Sequence, residues 1–453
     1  MERNDKYVQM TTAPVGRLIG KLAVPTVITM LITSIYNMAD TFFVGLLDNT
    51  SATGAVGVVF SFMAIIQACG FLFGQGSGNY ISRALGRQER ENAEKMASVG
   101  FFSAVLAGVT ISVLGLIFLN PLARMLGATD TILPYARDYL RIILLGAPWM
   151  TAALTLNNQL RFQGAAFYSM IGIGSGGVLN ILLDPVFIFV LDMGVTGAAV
   201  ATVISQAVSF VLLFVGTTRG ENLRIRPRLF RPCWADFVEM FRGGFPSLCR
   251  QGLSSLSTIV MNLMAGNFGG DTAIATMSVA GRVMHMAFAA ILGFGQGFQP
   301  VCGFNYGAGL FSRVRRAFWF CVRTSSVALV LISIVVWIFS PQLIGLFTND
   351  AAVLDIGVLS LRLQCLSFPL ISWITMSNMM MQNIGLVGRA SFLSMARQGI
   401  FFIPLVLILP VFLNETGVQM AQACADVLTF LCAIPLQLHA LKQFPADEPR
   451  RHF

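Results

Sequence analysis

Long apolar runs alternate with short polar segments along almost the whole chain. A membrane-spanning helix needs about 20 mostly apolar residues, and these runs are long enough for that. Charged and turn-forming residues bound twelve runs, so the pattern predicts an all-α polytopic membrane protein with twelve transmembrane helices. The predicted spans are Leu18–Leu47, Ala52–Ser82, Ala93–Leu119, Ile132–Leu160, Ala165–Leu191, Thr196–Thr217, Phe237–Asn267, Thr272–Asn305, Val314–Phe339, Ala352–Met381, Ala390–Leu413 and Val418–Leu441.

The composition agrees with a membrane protein. Of the 453 residues, 55% are hydrophobic and only 11% are charged. A soluble protein of this length would have roughly a quarter of its residues charged, because water covers its whole surface. Most of the surface must therefore face a lipid bilayer.

The net charge of +9 comes from arginines and lysines in the gaps between apolar runs. Basic residues are concentrated in every second gap, as at Arg83–Arg90, Arg219–Arg231 and Arg313–Arg316. Cytoplasmic loops carry this excess, so we expect both termini to be cytoplasmic and the protein to lie in the cytoplasmic (inner) membrane. The basic residues form no single patch, so no nucleic-acid partner is expected.

The chain consists of two similar halves. The segment Phe73–Gly76 (FGQG) recurs at Phe294–Gly297, and Pro25 recurs at Pro246, in each case 221 positions later. Each half carries six predicted spans, and because six is even the halves are parallel repeats, with substrates expected near the midplane between them. We predict an N-lobe of residues 1–218, a cytoplasmic linker of residues 219–236 and a C-lobe of residues 237–453.

Two carboxylates, Asp40 and Asp184, lie inside apolar runs of the first half. An ionisable side chain at such a position costs about 3 kcal/mol, so each carboxylate is a candidate functional group. Asn180 lies one turn before Asp184 on the same helical face. Pro185, which follows Asp184, frees a backbone carbonyl, and Thr202 on the next span would add a hydroxyl. Hard cations bind oxygen ligands of this kind.

The sequence leaves the identity of the cation open. Two carboxylates in a low-dielectric cavity repel each other, so one of them would carry a proton near neutral pH. A sodium ion between them would instead leave both ionised. The prediction is thus a Na⁺ or H⁺ site at Asp40, Asn180, Asp184 and Thr202, with no other cofactor. The alternative for Asp40 is a position at the outer membrane edge, since its span ends about two turns later.

The second half contains different chemistry. The positions that correspond to Asp40 and Asp184 are Met261 and Leu405, and the half carries Arg250 and Asp426, for which we expect an ion pair. Methionine and aromatic residues suit promiscuous binding, although core filling and lipid contact are the alternatives. The predicted substrate cavity consists of Tyr36, Asn37, Gln67, Met284, His285, Met286 and Phe288.

Four segments resemble the multidrug and toxic compound extrusion (MATE) family, in particular its MepA-like members. They are Tyr36–Gly45 (YNMADTFFVG), Phe73–Gly86 (FGQGSGNYISRALG), Asn180–Pro185 (NILLDP) and Gly194–Ser205 (GVTGAAVATVIS). The resemblance covers nearly the whole chain. It implies two six-helix lobes, a cation site in the N-lobe at Asp40, Asn180, Asp184 and Thr202, and antiport of drugs against Na⁺ or protons.

We therefore expect a monomeric antiporter that expels cationic or amphipathic drugs by alternating access. A lipid-linked saccharide or lipid flippase with this architecture is the alternative, and the arginines of the second half leave it open. An enzyme is not expected, because the Asp-x-x-Asp runs that bind magnesium-diphosphate are missing from the sequence. The phosphate-binding loop of an ATP-driven pump is also missing.

Overall fold

The computed structural model describes residues 5–47, 50–345 and 351–445, and all regular structure within these ranges is helical. The outer ends of the predicted lobes, residues 1–4 and 446–453, lie outside them. The helices are α1 Asp5–Thr12, α2 Val15–Gly45, α3 Thr50–Gly86, α4 Arg90–Ile117, α5 Leu119–Met125, α6 Leu133–Phe162, α7 Ala166–Pro185, α8 Gly194–Thr217, α9 Trp234–Gly307, α10 Phe311–Ile338, α11 Ser340–Gly345, α12 Ala351–Ser367, α13 Leu370–Asn383, α14 Val387–Met395, α15 Phe402–Leu413 and α16 Glu415–Lys442.

Ten helical segments in the described ranges are long and apolar enough to cross a membrane. An eleventh span is broken, because α12 and α13 form one apolar pair bent by 55°. The remaining predicted span is the part of α9 that precedes Gly270, and it is more polar than the other spans. Gly270, where φ is +65°, separates it from the second part of α9. Glycine adopts this conformation without the steric cost of a Cβ. The prediction of an all-α membrane protein is confirmed.

The repeat is visible in the helix boundaries. Helix α10 begins and ends 221 residues after α4. Gly164 and Gly385, which are also 221 residues apart, both have a positive φ, at +80° and +87°. Corresponding helices therefore begin, end and turn at corresponding residues in the two halves, which we call the N-lobe (α2–α8) and the C-lobe (α9–α16).

The lobes pack tightly at one end of the molecule, where α3 ends and α9 begins, which we call the linker end. A Cβ on Gly76 of α3 would lie 2.7 Å from the carbonyl carbon of Met240, so the two backbones touch. Asn79 Nδ2 donates to the carbonyl of Gly243 at 3.2 Å. Arg83 forms an ion pair with Glu239 across the same interface. The lobes are thus held together by backbone contact and by polar bonds.

Helix α1 was not predicted as an element and lies at the linker end. Lys6 Nζ donates to Asn222 Oδ1 at 3.2 Å, and the carbonyl of Met10 accepts from Asn305 Nδ2 at 3.1 Å. Met10 is only 2% exposed. The helix therefore connects the segment after α8 with the C-lobe.

Candidate functional site

Small residues on α7 determine how closely this helix approaches its neighbours. A Cβ on Gly177 would lie 2.8 Å from the Ile32 side chain of α2, and one on Gly176 would lie 2.9 Å from the Ser205 carbonyl of α8. Any larger side chain at these positions would push the helices apart. The next turn of α7 carries Asn180, which the close approach places beside α8.

Asn180, Asp184 and Thr202 form a hydrogen-bonded group inside the N-lobe. Asn180 Nδ2 donates to Asp184 Oδ1 at 3.2 Å and to Thr202 Oγ1 at 3.4 Å. All three side chains are buried, and Asp184 is fully inaccessible to solvent. The chain continues beyond Pro185 as one π-helical turn, Val186–Val190, and such irregular turns often occur at functional sites.

Several oxygen atoms of this group have no hydrogen-bond donor. Asp184 Oδ2 and Asn180 Oδ1 are buried and unpartnered, and so is Oδ1 of Asp40. Asp40 lies on α2, is half-buried, and is close enough to repel the Asp184 carboxylate electrostatically. Buried oxygen atoms without donors are costly, and a bound cation or proton would compensate for them.

Two tyrosines complete the surroundings of the carboxylates. Tyr36 and the buried Tyr139 both lie near Asp40 and Asp184. The sequence interpretation included Tyr36 and missed Tyr139, because one tyrosine in an apolar run carries no signal that separates it from a core residue. A hydrophobicity pattern shows burial but not which carboxylate a phenol approaches.

A cavity of about 100 Å³ lies next to this group. Its wall includes Tyr36, Asn37, Gln67, Asn180 and Thr202. The wall itself offers the amide oxygen of Asn180 and the hydroxyl of Thr202, and the Asp184 carboxylate lies behind it, hydrogen-bonded to Asn180. Oxygen ligands of this kind suit a hard cation. In the described part of the chain, no three His, Cys, Asp or Glu side chains come together as a metal site.

A larger cavity of about 340 Å³ lies between the lobes. This volume is within the range of about 300–1,000 Å³ that is usual for sites of drug-sized ligands. Met30, Thr33, Asn37 and Phe71 line both cavities. The smaller cavity, which we call the N-lobe pocket, therefore adjoins the interlobe cavity, and these four residues form the wall that the two cavities share.

Most of the residues predicted for the substrate cavity line one of these two cavities. Asn37, Met284, His285 and Phe288 line the interlobe cavity, while Tyr36 and Gln67 line the smaller one. Met286 lines neither and is 39% exposed. Its position follows from helical geometry, because it is two residues from Met284 and points to a different face of α9.

A buried ion pair joins two helices of the C-lobe. Arg397 Nε donates to Asp426 Oδ1 at 2.8 Å, and the Arg397 guanidinium lies 4.9 Å from the centre of the Phe288 ring. The expected pairing of Arg250 with Asp426 was wrong, since Asp426 pairs with Arg397. A one-dimensional pattern locates buried charges but does not show which of them meet across helices.

The MatE family model matches residues 25–186 and 246–408. The multidrug export protein MepA of Staphylococcus saprophyticus is 28% identical over 425 residues, which cover 91% of each chain. The protein of the same name from Staphylococcus aureus (strain MRSA252) is 27% identical over 445 residues, or 95% of each chain. A solved structure, described as the outward-facing conformation of a multidrug resistance MATE family transporter of the MOP superfamily, has a TM-score of 0.92 and 26% identity. The match covers 96% of this chain and 98% of that chain.

Proposed function

Because the chain belongs to the MATE family of membrane transporters, we propose that it is a secondary active multidrug antiporter. It exports cationic or amphipathic compounds in exchange for Na⁺ or H⁺ by alternating access. The observation that carries this proposal is the small N-lobe pocket beside the interlobe cavity. Asn180 and Thr202 line this pocket, and behind them the buried carboxylate of Asp184 has one oxygen without a hydrogen-bond partner among the described residues. Similarity to two proteins named for multidrug export supports it.

The N-lobe pocket would hold the coupling ion. Asp40 and Asp184 would supply negative charge, and Asn180 Oδ1 and the Thr202 hydroxyl would complete a Na⁺ site. A proton on one of the two carboxylates would relieve the same repulsion. An ion that enters brings about 2.3 kcal/mol per charge for each 100 mV of membrane potential. Export of a monocation against the same potential costs the same amount, so a one-for-one exchange would be driven by the concentration gradient of the coupling ion.

The shared wall offers a route for coupling between ion and drug. Three of its residues, Met30, Thr33 and Asn37, belong to α2, the helix that also carries Asp40. A shift of α2 on ion binding would change the shape of both cavities at once. A ligand changes a conformational equilibrium only through a difference in affinity between two states, and the shared helix supplies such a difference.

The interlobe cavity would bind the exported compound. Its wall combines flexible methionines and aromatic rings with a few amide groups, among them Met284, Phe288 and Asn37. Such walls adapt to ligands of different shapes. The lobes close at the linker end, which the basic loops assign to the cytoplasm, so this conformation would release cargo outward.

The lipid or saccharide flippase is the second candidate, since Arg250 and Arg397 line the interlobe cavity and would suit anionic cargo. Gradient dependence separates the two. A drug antiporter moves a soluble dye against a concentration gradient when an ion gradient is imposed, whereas a flippase specific for membrane lipids does not.

The test uses the purified protein in liposomes and the cationic dye rhodamine 6G. Under an imposed sodium or proton gradient we expect dye efflux by the wild type, none by Asp184→Asn and reduced efflux by Asp40→Asn. Asp138→Asn, a change of the same charge at an exposed aspartate, serves as the control and should be unaffected. Dye movement that does not depend on either gradient would reject antiport. Unaltered efflux by Asp184→Asn would reject the N-lobe pocket as the site of the coupling ion.

A further inference from the structure

The wall of the interlobe cavity carries an excess of positive charge. Four ionisable side chains among the described residues line it, and they are Arg250, His285, Arg397 and Asp426. The carboxylate of Asp426 is fully engaged within the C-lobe: Arg397 and Gln422 donate to Oδ1 at 2.8 and 3.0 Å, and Ser367 donates to Oδ2 at 3.3 Å. The only carboxylate of this wall is thus neutralised by its own neighbours.

Arg250 has no partner of this kind. It makes no ion pair and no hydrogen bond with any residue that the structure describes. The two charged groups close to Arg250 are both cations, namely Arg397 of the C-lobe and Arg161 of the N-lobe, and each of them repels the Arg250 guanidinium. The two arginines and the one aspartate of this wall leave a local charge of +1, and His285 lies on the same wall.

Arg161 makes this region still more positive. Its side chain is only 1% exposed, and Nε and Nη1 are buried without an acceptor. The guanidinium donates to Asn158 Oδ1 at 2.7 Å and lies 5.1 Å from the centre of the Phe162 ring. None of these neighbours is anionic. A guanidinium does not lose its proton in proteins, so the charge persists when the cavity is empty of cargo.

The surroundings of Arg250 would complete an anion site. Ser254 lies one turn further along α9 on the same face, and both it and Gln398 line the cavity with Arg250. An arginine binds a carboxylate or phosphate through two parallel N–H donors. The apolar side chains Met284 and Phe288 line the same cavity, so an amphipathic molecule would place its ring system there and its anionic group at the guanidinium.

We propose that Arg250 binds the anionic oxygen group, a carboxylate or phosphate, of an amphipathic molecule that occupies the interlobe cavity. This inference rests on the proposed export function and defines its substrate class more narrowly. Exported compounds would include zwitterions, whose cationic part is attracted by the carboxylates of the N-lobe while the anionic part pairs with Arg250. Substrate anion and coupling cation would then occupy opposite sides of the shared wall.

A matched pair of dyes tests the assignment. Rhodamine 19 carries a free carboxylate, and rhodamine 6G is its ethyl ester with the same cationic ring system. Binding to the purified protein in nanodiscs is measured by fluorescence anisotropy without any ion gradient. Arg250→Gln should lower the affinity for rhodamine 19 by about tenfold or more and leave that for rhodamine 6G unchanged or higher. Arg250→Lys should retain most of the affinity for rhodamine 19.

Arg282→Gln is the control, because Arg282 is an exposed arginine of the same helix that does not line the cavity. It should change neither affinity. An equal loss of both dyes in Arg250→Gln would show a structural role and overturn the proposal, as would an unchanged affinity for rhodamine 19. Such a failure leaves gradient-driven efflux of rhodamine 6G intact, so it is distinguishable from failure of the antiport proposal.

The anionic group could come from cargo or from a phospholipid headgroup, and the nanodisc composition separates these sources. In one preparation, phosphatidylglycerol replaces about a quarter of the phosphatidylcholine. If this weakens rhodamine 19 binding to the wild type but not to Arg250→Gln, the lipid headgroup is a ligand of Arg250. If it has no effect, soluble cargo is the ligand. Both results retain the anion site.

Discussion

Two buried aspartates, Asp184 and Asp426, differ in how their charge is compensated. Both carboxylate oxygens of Asp426 accept hydrogen bonds, one of them from a guanidinium. Among the described residues, Asp184 has one donor, the Asn180 amide, and its second oxygen has none. An ion removed from water without compensation costs several kcal/mol. Asp426 therefore suits a structural role, and Asp184 suits a role that brings a proton or cation to it.

Thr202 contributes a hydroxyl to the pocket, and Thr202→Val removes it with little change in shape. Asn180 loses an acceptor and the cation loses a ligand, and an unsatisfied buried group costs about 1–3 kcal/mol. We expect the sodium or proton concentration at half-maximal dye efflux to rise about tenfold, while dye binding without a gradient stays the same. Thr202→Ser keeps the hydroxyl and should behave like the wild type. Equal behaviour of the valine and serine variants would contradict a ligand role.

The Arg397–Asp426 pair should matter for stability. Asp426→Asn leaves the Arg397 guanidinium without its counter-ion, and removing one partner of a buried pair costs about 3–5 kcal/mol. We expect a lower thermal unfolding midpoint in detergent. The double variant Arg397→Met/Asp426→Asn removes both charges and should recover part of the loss. If the double variant is less stable than Asp426→Asn alone, the uncompensated charge is not the cause.

The sequence identified Asp184, Asn180 and Thr202 because polar residues are rare in apolar runs and stand out by their cost. The sequence did not show that Tyr139 lies near the carboxylates or that Asp426 pairs with Arg397. Tyrosine is common in membrane helices, and ion pairs between helices depend on rotations about each helix axis that the hydrophobic pattern does not specify.

Among the elements, α1 offers a pH-dependent contact. Burial lowers the pKa of the Lys6 ammonium to about 8, an effect that Glu221 partly opposes and Arg90 reinforces. The undocked helix, with the ordinary lysine pKa, binds more protons than the docked helix between about pH 8 and 10.5. Docking of α1 should therefore strengthen as pH rises through this window and should not change below it.

A spin label at the exposed position Gln9, in a cysteine-free background, measures this docking. The mobile fraction of its EPR spectrum should fall between pH 8 and 10. Lys6→Met removes the ammonium, so it should lower the mobile fraction at pH 7 and abolish the pH dependence. A mobile fraction that rises with pH, or a dependence that survives in Lys6→Met, would rule out Lys6 as the titrating group.

Gly76 allows α3 and α9 to touch, and Gly76→Val should separate them. Its Cβ would lie 2.7 Å from the carbonyl carbon and 2.9 Å from the Cα of Met240, and backbone atoms cannot yield as a flexible side chain does. Overpacking of this kind costs about 1–3 kcal/mol. We expect a lower unfolding midpoint and slower dye efflux. Gly252→Val is the control, because a Cβ at this position would meet no described residue outside its own helical turn within 4 Å. Equal losses in both variants would refute the contact.

Most spans were predictable because each apolar run is longer than a bilayer requires. Helix α1 was not, since its short amphipathic segment carries few apolar residues, and Met10 and Thr11 become buried only through contacts with distant parts of the chain. The break between α12 and α13 falls at Pro369, which agrees with a proline effect. The sequence shows that such a proline is present but not the angle at which the helix bends.

At the scale of the whole molecule, the two repeats share a backbone and differ in charge. Corresponding helices begin at corresponding residues, yet Asp40 and Asp184 are replaced in the C-lobe by Met261 and Leu405. The N-lobe therefore carries two carboxylates within its apolar helices, whereas Arg250 and Arg397 give the C-lobe wall of the interlobe cavity a net positive charge. Sequence predicted the repeat from its constant offset. It could not predict the positive wall, because Arg250 and Arg397 come together only when two distant segments of the chain pack.

Alternating access requires the linker end to open, and Arg83 holds it closed in this conformation. Its guanidinium pairs with Glu239 and donates to the carbonyl of Asn383 at 3.2 Å, so one N-lobe side chain binds two segments of the C-lobe. An interaction that is present only in the closed state shifts the equilibrium between closed and open states about tenfold for each 1.4 kcal/mol. Hydrogen bonds to charged groups contribute about 1.5–3 kcal/mol each. Arg83→Ala should raise the population open at this end about tenfold or more.

Spin labels at the exposed positions Arg87 and Arg316, in a cysteine-free background, would report a longer distance by pulsed EPR. Arg124→Ala, which removes an exposed ion pair elsewhere, should leave the distance distribution unchanged. An Arg83→Ala distribution identical to that of the wild type would mean that backbone packing alone, through contacts such as that of Gly76, keeps this end closed.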